Sequence, residues 1–310
     1  MSSPLVSIVI PSYNHALFIK ECIQSIIEQD YKNIELIIID DGSKDNSVEV
    51  IQKMIPICKE RFKRFEFRHR PNKGLSATLN EALEWCEGEY FSAFASDDIA
   101  LKHKTSFLVE KLQEENCQVA FGLINEFPKT KSIIKSPTIF HTFEKLIFQF
   151  DIPAAPAAMA KTSVIRAVGG YNEGVIIEDW YMWLTLTKNG YTLITYPEVL
   201  ALYRRHDTNI SNNFDILHEG RMQILRLFND NIFVNNAIKL EYLKKAKRLV
   251  YNYPRSAISF LKKAELLKNG SWIALFKVII SQKLIEVKRK LVNPILKTER
   301  NLNEKFKWKN

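Results

Sequence analysis

The chain has 310 residues, 46% hydrophobic and 25% charged, a balance that excludes a disordered polypeptide and allows one large core with a smaller appendage. Its net charge of +9 is unevenly placed, because residues 239–310 hold 19 Lys/Arg against 5 Asp/Glu and everything before them is net acidic. The basic residues of that tail lack interleaved aromatic platforms or a base-reading motif, so nucleic acid is excluded as the expected partner and another negatively charged surface should meet the tail.

The opening MSSPLVSIVIPSYNHA has no basic start, long apolar stretch or small-residue cleavage site, and it reads as a buried strand rather than a signal peptide. No apolar run approaches the roughly 20 residues that span a bilayer. Cys22, Cys58, Cys86 and Cys117 are scattered without a C-x-x-C pair. Reduced thiols in a cytoplasm are the expectation.

In chain order, Val6–Ile10 reads as a strand halted by Pro11. A helix follows in which Ile19, Cys22, Ile23, Ile26 and Ile27 recur on one side. Leu36–Ile39 is an unbroken apolar run that ends in Asp40-Asp41-Gly42-Ser43, the pattern of a central parallel strand opening onto a turn. Next come a helix from about Asn46, a strand near Phe65–Arg68, a helix near Ser76–Trp85 and a strand Tyr90–Ala95 running into Ser96-Asp97-Asp98. A helix from Ile99 to Glu115 and a strand at Val119–Phe121 complete this alternation, which predicts an α/β fold with a mostly parallel sheet flanked by helices. The stretch Asn125–Pro156 is weakly patterned and reads as an insertion, and Gly169–His206 forms a second compact block with a helix at Glu178–Lys188. Beyond Asn213 the pattern is wholly helical, with breaks at Tyr253-Pro254 and Asn269-Gly270.

Open sheets of this class bind ligands at the carboxyl ends of their strands. Pro11-Ser12-Tyr13-Asn14 and Asp40-Asp41-Gly42-Ser43 should lie side by side there, offering an aromatic ring and a carboxylate to a nucleobase or, alternatively, forming ordinary turns. Two adjacent carboxylates at Asp97-Asp98 repel unless a cation sits beside them, which suggests Mg2+ or Mn2+; helix capping is the other reading. Glu178-Asp179-Trp180 opens a helix, and Tyr203-Arg204-Arg205-His206 places two cations and an imidazole in a row.

The ordered set PSYN, DDGS, Asn72-Lys73-Gly74, SDD, GGYN, EDW and YRRH resembles family-2 glycosyltransferases of the GT-A fold, over roughly residues 6–211. The resemblance implies a Rossmann-like catalytic domain over residues 1–213, with its nucleotide-sugar side at about 1–125 and its acceptor side at about 126–213. A basic helical extension would cover 214–310. It implies that Pro11, Tyr13 and Asp40 line a uridine pocket with Asn14 beside them. Asp41 would assist, and Asn72 and Gly74 would lie against the nucleotide. Asp97 would touch ribose or metal, and Asp98 would bind the cation, Mn2+ or Mg2+. Gly169 and Gly170 would approach the donor sugar, with Glu178 and Arg205 also on the nucleotide-sugar side. Asp179 would be the catalytic base, and His206 would approach metal and diphosphate. Ser96 stands at or next to a position where many relatives carry another carboxylate, which leaves the metal ligand between Asp97 and Asp98, with Asp98 favoured.

One catalytic carboxylate with no second nucleophile candidate fits a single displacement with inversion. The expected partners are a UDP-sugar donor and a saccharide acceptor linked to undecaprenyl diphosphate, in O-antigen or capsule assembly at the inner face of the membrane. Trp272, Phe276, Ile279, Ile280, Leu284, Val287 and Leu291 mark a helical stripe among basic residues, which either lies on an anionic membrane surface or packs on the catalytic domain. A nucleotidyltransferase is the competing enzyme class, but PSYNHALF lacks a glycine-rich basic phosphate loop. A non-catalytic basic binding module is the competing non-enzyme class.

Overall fold

The computed structural model describes residues 3–114, 117–128, 137–149, 152–249 and 253–264. Strands β1 (Val6–Ser12), β2 (Ile34–Asp40), β3 (Arg64–His69) and β4 (Tyr90–Ala93) are parallel, in the spatial order β3-β2-β1-β4. Helices α1 (Ile19–Ile27), α2 (Ser47–Arg61) and α3 (Leu75–Trp85) connect them. All of β2 is buried, as a central strand covered on both faces must be. Helix α1 buries Ile19, Cys22, Ile23 and Ile26, the stripe its spacing predicts.

Strand β1 continues through Pro11 to Ser12 instead of stopping there. Ser12 C=O accepts from Asp41 N–H on the β2 side, so Pro11 faces the β4 side, where pairing ends at Val9 and Ala93. A residue without an N–H is tolerated because no ladder bond is required of it.

The second half of the sheet is mixed. Strand β4 pairs antiparallel with β8 (Ala158–Lys161), β8 antiparallel with β6 (Val119–Phe127), and β6 parallel with β9 (Leu193–Arg204). Strands β5 (Ile99–Ala100) and β7 (Ile139–His141) run antiparallel to β9. Ile99 and Ala100 are therefore strand, and the helix predicted from Ile99 starts only at α4 (Lys104–Glu114). The stretch Asn125–Pro156 contributes the end of β6, strand β7 and α5 (Phe143–Ile147). Helices α6 (Thr162–Ala167) and α7 (Glu178–Lys188) follow β8, and α7 has the predicted limits.

Glu35, fully buried in β2, accepts from Ser7 Oγ at 2.6 Å, from the N–H groups of Glu87 and Gly88 at 2.6 and 3.0 Å, and from Arg64 at 2.6 Å. A buried carboxylate is stable only with such a full set of donors. It ties the start of β1, β2 and β4 together at the sheet end opposite the loops discussed below.

The chain divides into two compact units, Met1–Ile224 and Leu225–Asn310. Helix α8 (Phe214–Leu227) crosses that division, so the expected boundary at residue 213 falls where α8 begins. The second unit contains α9 (Val234–Leu249) and α10 (Pro254–Lys263), joined by a small core of Ala246, Ala257 and Leu261. Pro254 sits in the first turn of α10, where its missing N–H costs nothing. The break at Asn269-Gly270 and the stripe from Trp272 to Leu291 lie outside the described residues. Among the described residues no helix is long and apolar enough to cross a membrane.

Candidate active site

Ser12 and Asp40 are register partners at the ends of β1 and β2, which sets PSYN and DDGS side by side. The Asp40 carboxylate, fully buried, accepts from Ser43 N–H at 2.8 Å, Ser43 Oγ at 2.6 Å and Ser12 Oγ at 3.2 Å. His69 Nδ1 lies 3.1 Å from it. Asp41 turns toward the loop after β3: it accepts from Lys73 N–H at 2.8 Å, Gly74 N–H at 2.9 Å and the Arg70 guanidinium. Asn72 Nδ2 donates to Asp41 C=O at 2.8 Å. Gly42 has φ +77°, and a Cβ there would sit 2.7 Å from the backbone nitrogen of Asn72, so only glycine lets these two loops approach.

Asn14, itself at φ 55°, accepts from Lys44 N–H at 2.8 Å through Oδ1. Asn14, Asp41 and Asn72 are therefore loop braces, and the groups left open beside them are Tyr13, 42% exposed, and half-buried Pro11. Gly74 adopts φ +93° ahead of α3 with nothing near its missing Cβ.

A second cluster forms where β4 runs out. His206 Nε2 lies 2.9 Å from Asp97 Oδ2, and His15 Nε2 lies 4.0 Å from the same oxygen. One donor atom from each of these three side chains falls within 4.8 Å of the others. Asn209 Nδ2 reaches Asp97 Oδ2 at 3.4 Å, and His15 Nδ1 lies 2.7 Å from Ser96 Oγ. Burial lowers the pKa of His15 against the opposing pull of Asp97, which favours the neutral imidazole a metal requires. Phe18 stacks on the His206 ring at 4.8 Å, with the Arg204 guanidinium 5.1 Å from the Phe18 centroid.

Asp98 is placed differently from the expectation that it holds the cation. It is fully buried, its Oδ1 accepts from Arg204 N–H at 2.8 Å, and its Oδ2 has no partner. Burial, then the neighbouring Asp97, pushes its carboxyl up to about 7. The cause is the pairing of Ile99 with Leu202, which draws Asp98 onto the β9 backbone and leaves Asp97 facing the imidazoles. Arg205 likewise points elsewhere, bound to Glu126 at 2.7 Å.

Glu178 and Asp179 form the first turn of α7 and line a cavity with Phe91 and Ala93 of β4. Burial raises the pKa of both carboxyls, and the Asp179 charge adds to the rise at Glu178. Asp179 Oδ1 accepts from its own neighbour, Trp180 N–H, at 2.6 Å. Gly169 and Gly170 have φ +87° and +77°. Asn80 of α3 staples the loop they open, donating to Tyr171 C=O at 2.8 Å and accepting from Tyr171 N–H at 2.7 Å. Strand β4 thus connects the two clusters: its side chains line the acidic cavity and its end leads to Asp97.

His15, Phe18, Asn80 and Asn209 carry no role in the sequence reading. His15 could have been suspected from its place directly after a strand-end motif, whereas Asn80 gives no signal in mid-helix.

The sequence profile described as Glycosyl transferase family 2 matches residues 7–167. TuaG of Bacillus subtilis, a glycosyltransferase named for teichuronic acid biosynthesis, is 28% identical over 213 residues, 68% of this chain and 82% of TuaG. WfgD of Escherichia coli, a UDP-Glc:alpha-D-GlcNAc-diphosphoundecaprenol beta-1,3-glucosyltransferase, is 28% identical over 217 residues, 69% of this chain and 82% of WfgD. Among solved structures, the mannosyltransferase PcManGT from Pyrobaculum calidifontis, bound to GDP-Man and Mn2+, superposes with a TM-score of 0.65 at 18% identity, covering 92% of this chain and 81% of that one. That likeness places the sheet in the GT-A fold, and the profile match over more than half the residues shows that this chain belongs to glycosyltransferase family 2.

Proposed function

We propose that the chain transfers a hexose or N-acetylhexosamine from a UDP-sugar to a saccharide hydroxyl by one displacement, with inversion at the anomeric carbon. The observation that carries this reading is the half-buried Glu178–Asp179 pair on a cavity walled by β4, the strand whose end bears Asp97 between two imidazoles. Asp179 takes the proton of the acceptor hydroxyl as its oxygen bonds to the anomeric carbon. The bond from that carbon to the diphosphate breaks, and its electron pair leaves on UDP. Tyr13 stacks on the base with Pro11 beside it, on a turn that buried Asp40 holds in place through Ser43 and Ser12. Asp97, His206 and His15 offer one carboxylate and two imidazoles at separations suited to a single ion, a mixed donor set that fits Mn2+ better than all-oxygen Mg2+. A cation held there would supply charge to offset the departing diphosphate.

Because burial raises the carboxyl pair, the acidic limb of the rate profile should have its midpoint above the usual carboxylate value of about 4. The base works only when deprotonated, so activity rises with pH through that midpoint. Glu178→Gln leaves in place the burial that raises Asp179, so the limb is expected to stay above the ordinary carboxylate range. A limb that falls back to about 4 in the kcat profile contradicts burial as the cause.

The acceptor reading draws on WfgD, whose name describes a sugar on diphosphoundecaprenol, and on TuaG, whose name describes a surface polymer. The chain then works in O-antigen, capsule or similar surface-polysaccharide assembly, as a peripheral protein on the inner face of the membrane. The net positive residues 239–310 support contact with anionic lipid. Removing residues 271–310 is expected to shift the protein from membrane to soluble fractions; unchanged fractionation argues against the contact. A screen of UDP-sugars with lipid-diphosphate acceptors, reading product anomeric configuration by NMR, tests the whole assignment: retention, or no transfer to any saccharide, rejects it.

A further inference from the structure

We infer that Ser96 is a positioning residue whose buried hydroxyl aims the His15 imidazole at the cation of the transferase reading above, on which this inference rests.

Ser96 and Asp97 leave the end of β4 in one turn, held by Asp98 N–H donating to Ala95 C=O at 3.2 Å and by Asp98 Oδ1 accepting from Arg204 N–H at 2.8 Å. That turn supplies a carboxylate and, next to it, a hydroxyl. Ser96 Oγ lies 2.7 Å from His15 Nδ1, whereas His15 Nε2 stands 4.0 Å from Asp97 Oδ2, too far for a hydrogen bond. The Ser96 contact therefore fixes which nitrogen of the ring faces the carboxylate. A metal ligand needs the lone pair of Nε2, which is free when Nδ1 carries the ring proton. Nδ1–H then donates to Ser96 Oγ, the outer bond that orients ligating histidines.

The backbone of His15 is fixed separately. Its N–H donates to Ser47 Oγ at 3.0 Å, and Ser47 Oγ donates to Asp45 Oδ1 at 2.5 Å, so the loop sets where His15 sits and Ser96 sets how its ring turns. His206 provides the contrast. Its Nδ1 lies 2.8 Å from Thr208 Oγ1, but Thr208 is exposed, where water can replace the hydroxyl, and His206 Nε2 also reaches Asp97 Oδ2 directly at 2.9 Å. Ser96 is 2% exposed, so water does not take its place.

Mn2+ added to the full chain reads this role twice: electron paramagnetic resonance titration gives affinity, and electron spin-echo envelope modulation detects imidazole nitrogens bound to the ion. Ser96→Ala is expected to weaken Mn2+ binding about tenfold and to remove one of two nitrogen couplings, as His15→Ala does. Thr208→Val should stay within about threefold and keep both. In a His15→Ala chain, adding Ser96→Ala should change affinity by less than about twofold, because the hydroxyl acts only through that ring. The His206 coupling that remains shows that the site of each variant is folded. Unchanged affinity with both couplings in Ser96→Ala, a tenfold effect that persists without His15, or loss of both couplings overturns the positioning role and leaves the transferase reading standing. So does a native chain whose Mn2+ shows a single imidazole. A native chain that binds no Mn2+ overturns the cation of that reading and this inference with it.

Discussion

Asp179→Asn is expected to lower turnover by about 10²–10⁴-fold, the usual contribution of a positioned general base, while donor affinity stays within about twofold. Asparagine keeps the volume and the oxygen that accepts from Trp180 N–H, so the first turn of α7 should survive. It cannot accept the acceptor's proton. The loss should therefore appear in kcat and equally in kcat/KM, with the donor Kd from titration unchanged. Near-normal turnover would remove Asp179 from the base role. Glu178 would then be the carboxylate to test, since the same burial raises it.

Chelation of divalent cations is expected to stop transfer, and Mn2+ to restore it more fully than Mg2+, because two of the three candidate donor groups are imidazoles. Asp97→Asn should weaken Mn2+ binding by about 100-fold, as loss of a charged ligand from a three-residue site would. Asp98→Asn should leave it within about threefold, because the buried Asp98 carboxylate accepts from Arg204 N–H and lies outside the group formed by His15, Asp97 and His206. Mn2+ titration followed by electron paramagnetic resonance reads both variants without an assay. Full activity in excess chelator would reject the cation, and the reverse order of the two aspartates would return the ligand role to Asp98.

The parallel half of the sheet was legible because its signals are local. The β2 run Leu36–Ile39 and the α1 stripe from Ile19 to Ile26 declare their partners through periodicity alone, and Asp40-Asp41-Gly42-Ser43 declares a turn. Even there, Pro11 misled, because the rule that proline ends a strand depends on whether a neighbour needs its N–H. Strand β9 and the two-residue β5 were not legible, since Ile99 pairs with Leu202 about a hundred positions away and neither segment alternates clearly.

Family membership, and the acidic positions proposed for the site, could be read from residue order, because motif identity and spacing survive without coordinates. Which atoms meet could not. Asp97 and Asp98 are adjacent and chemically identical, and only the β5–β9 pairing turns one to the imidazoles and buries the other. His15 joins that cluster, and Trp183 meets Glu178 across a cavity, for the same reason. Periodicity and turn chemistry are properties of neighbouring residues, whereas a ligand set is assembled by strand pairing and helix packing between residues far apart in the chain.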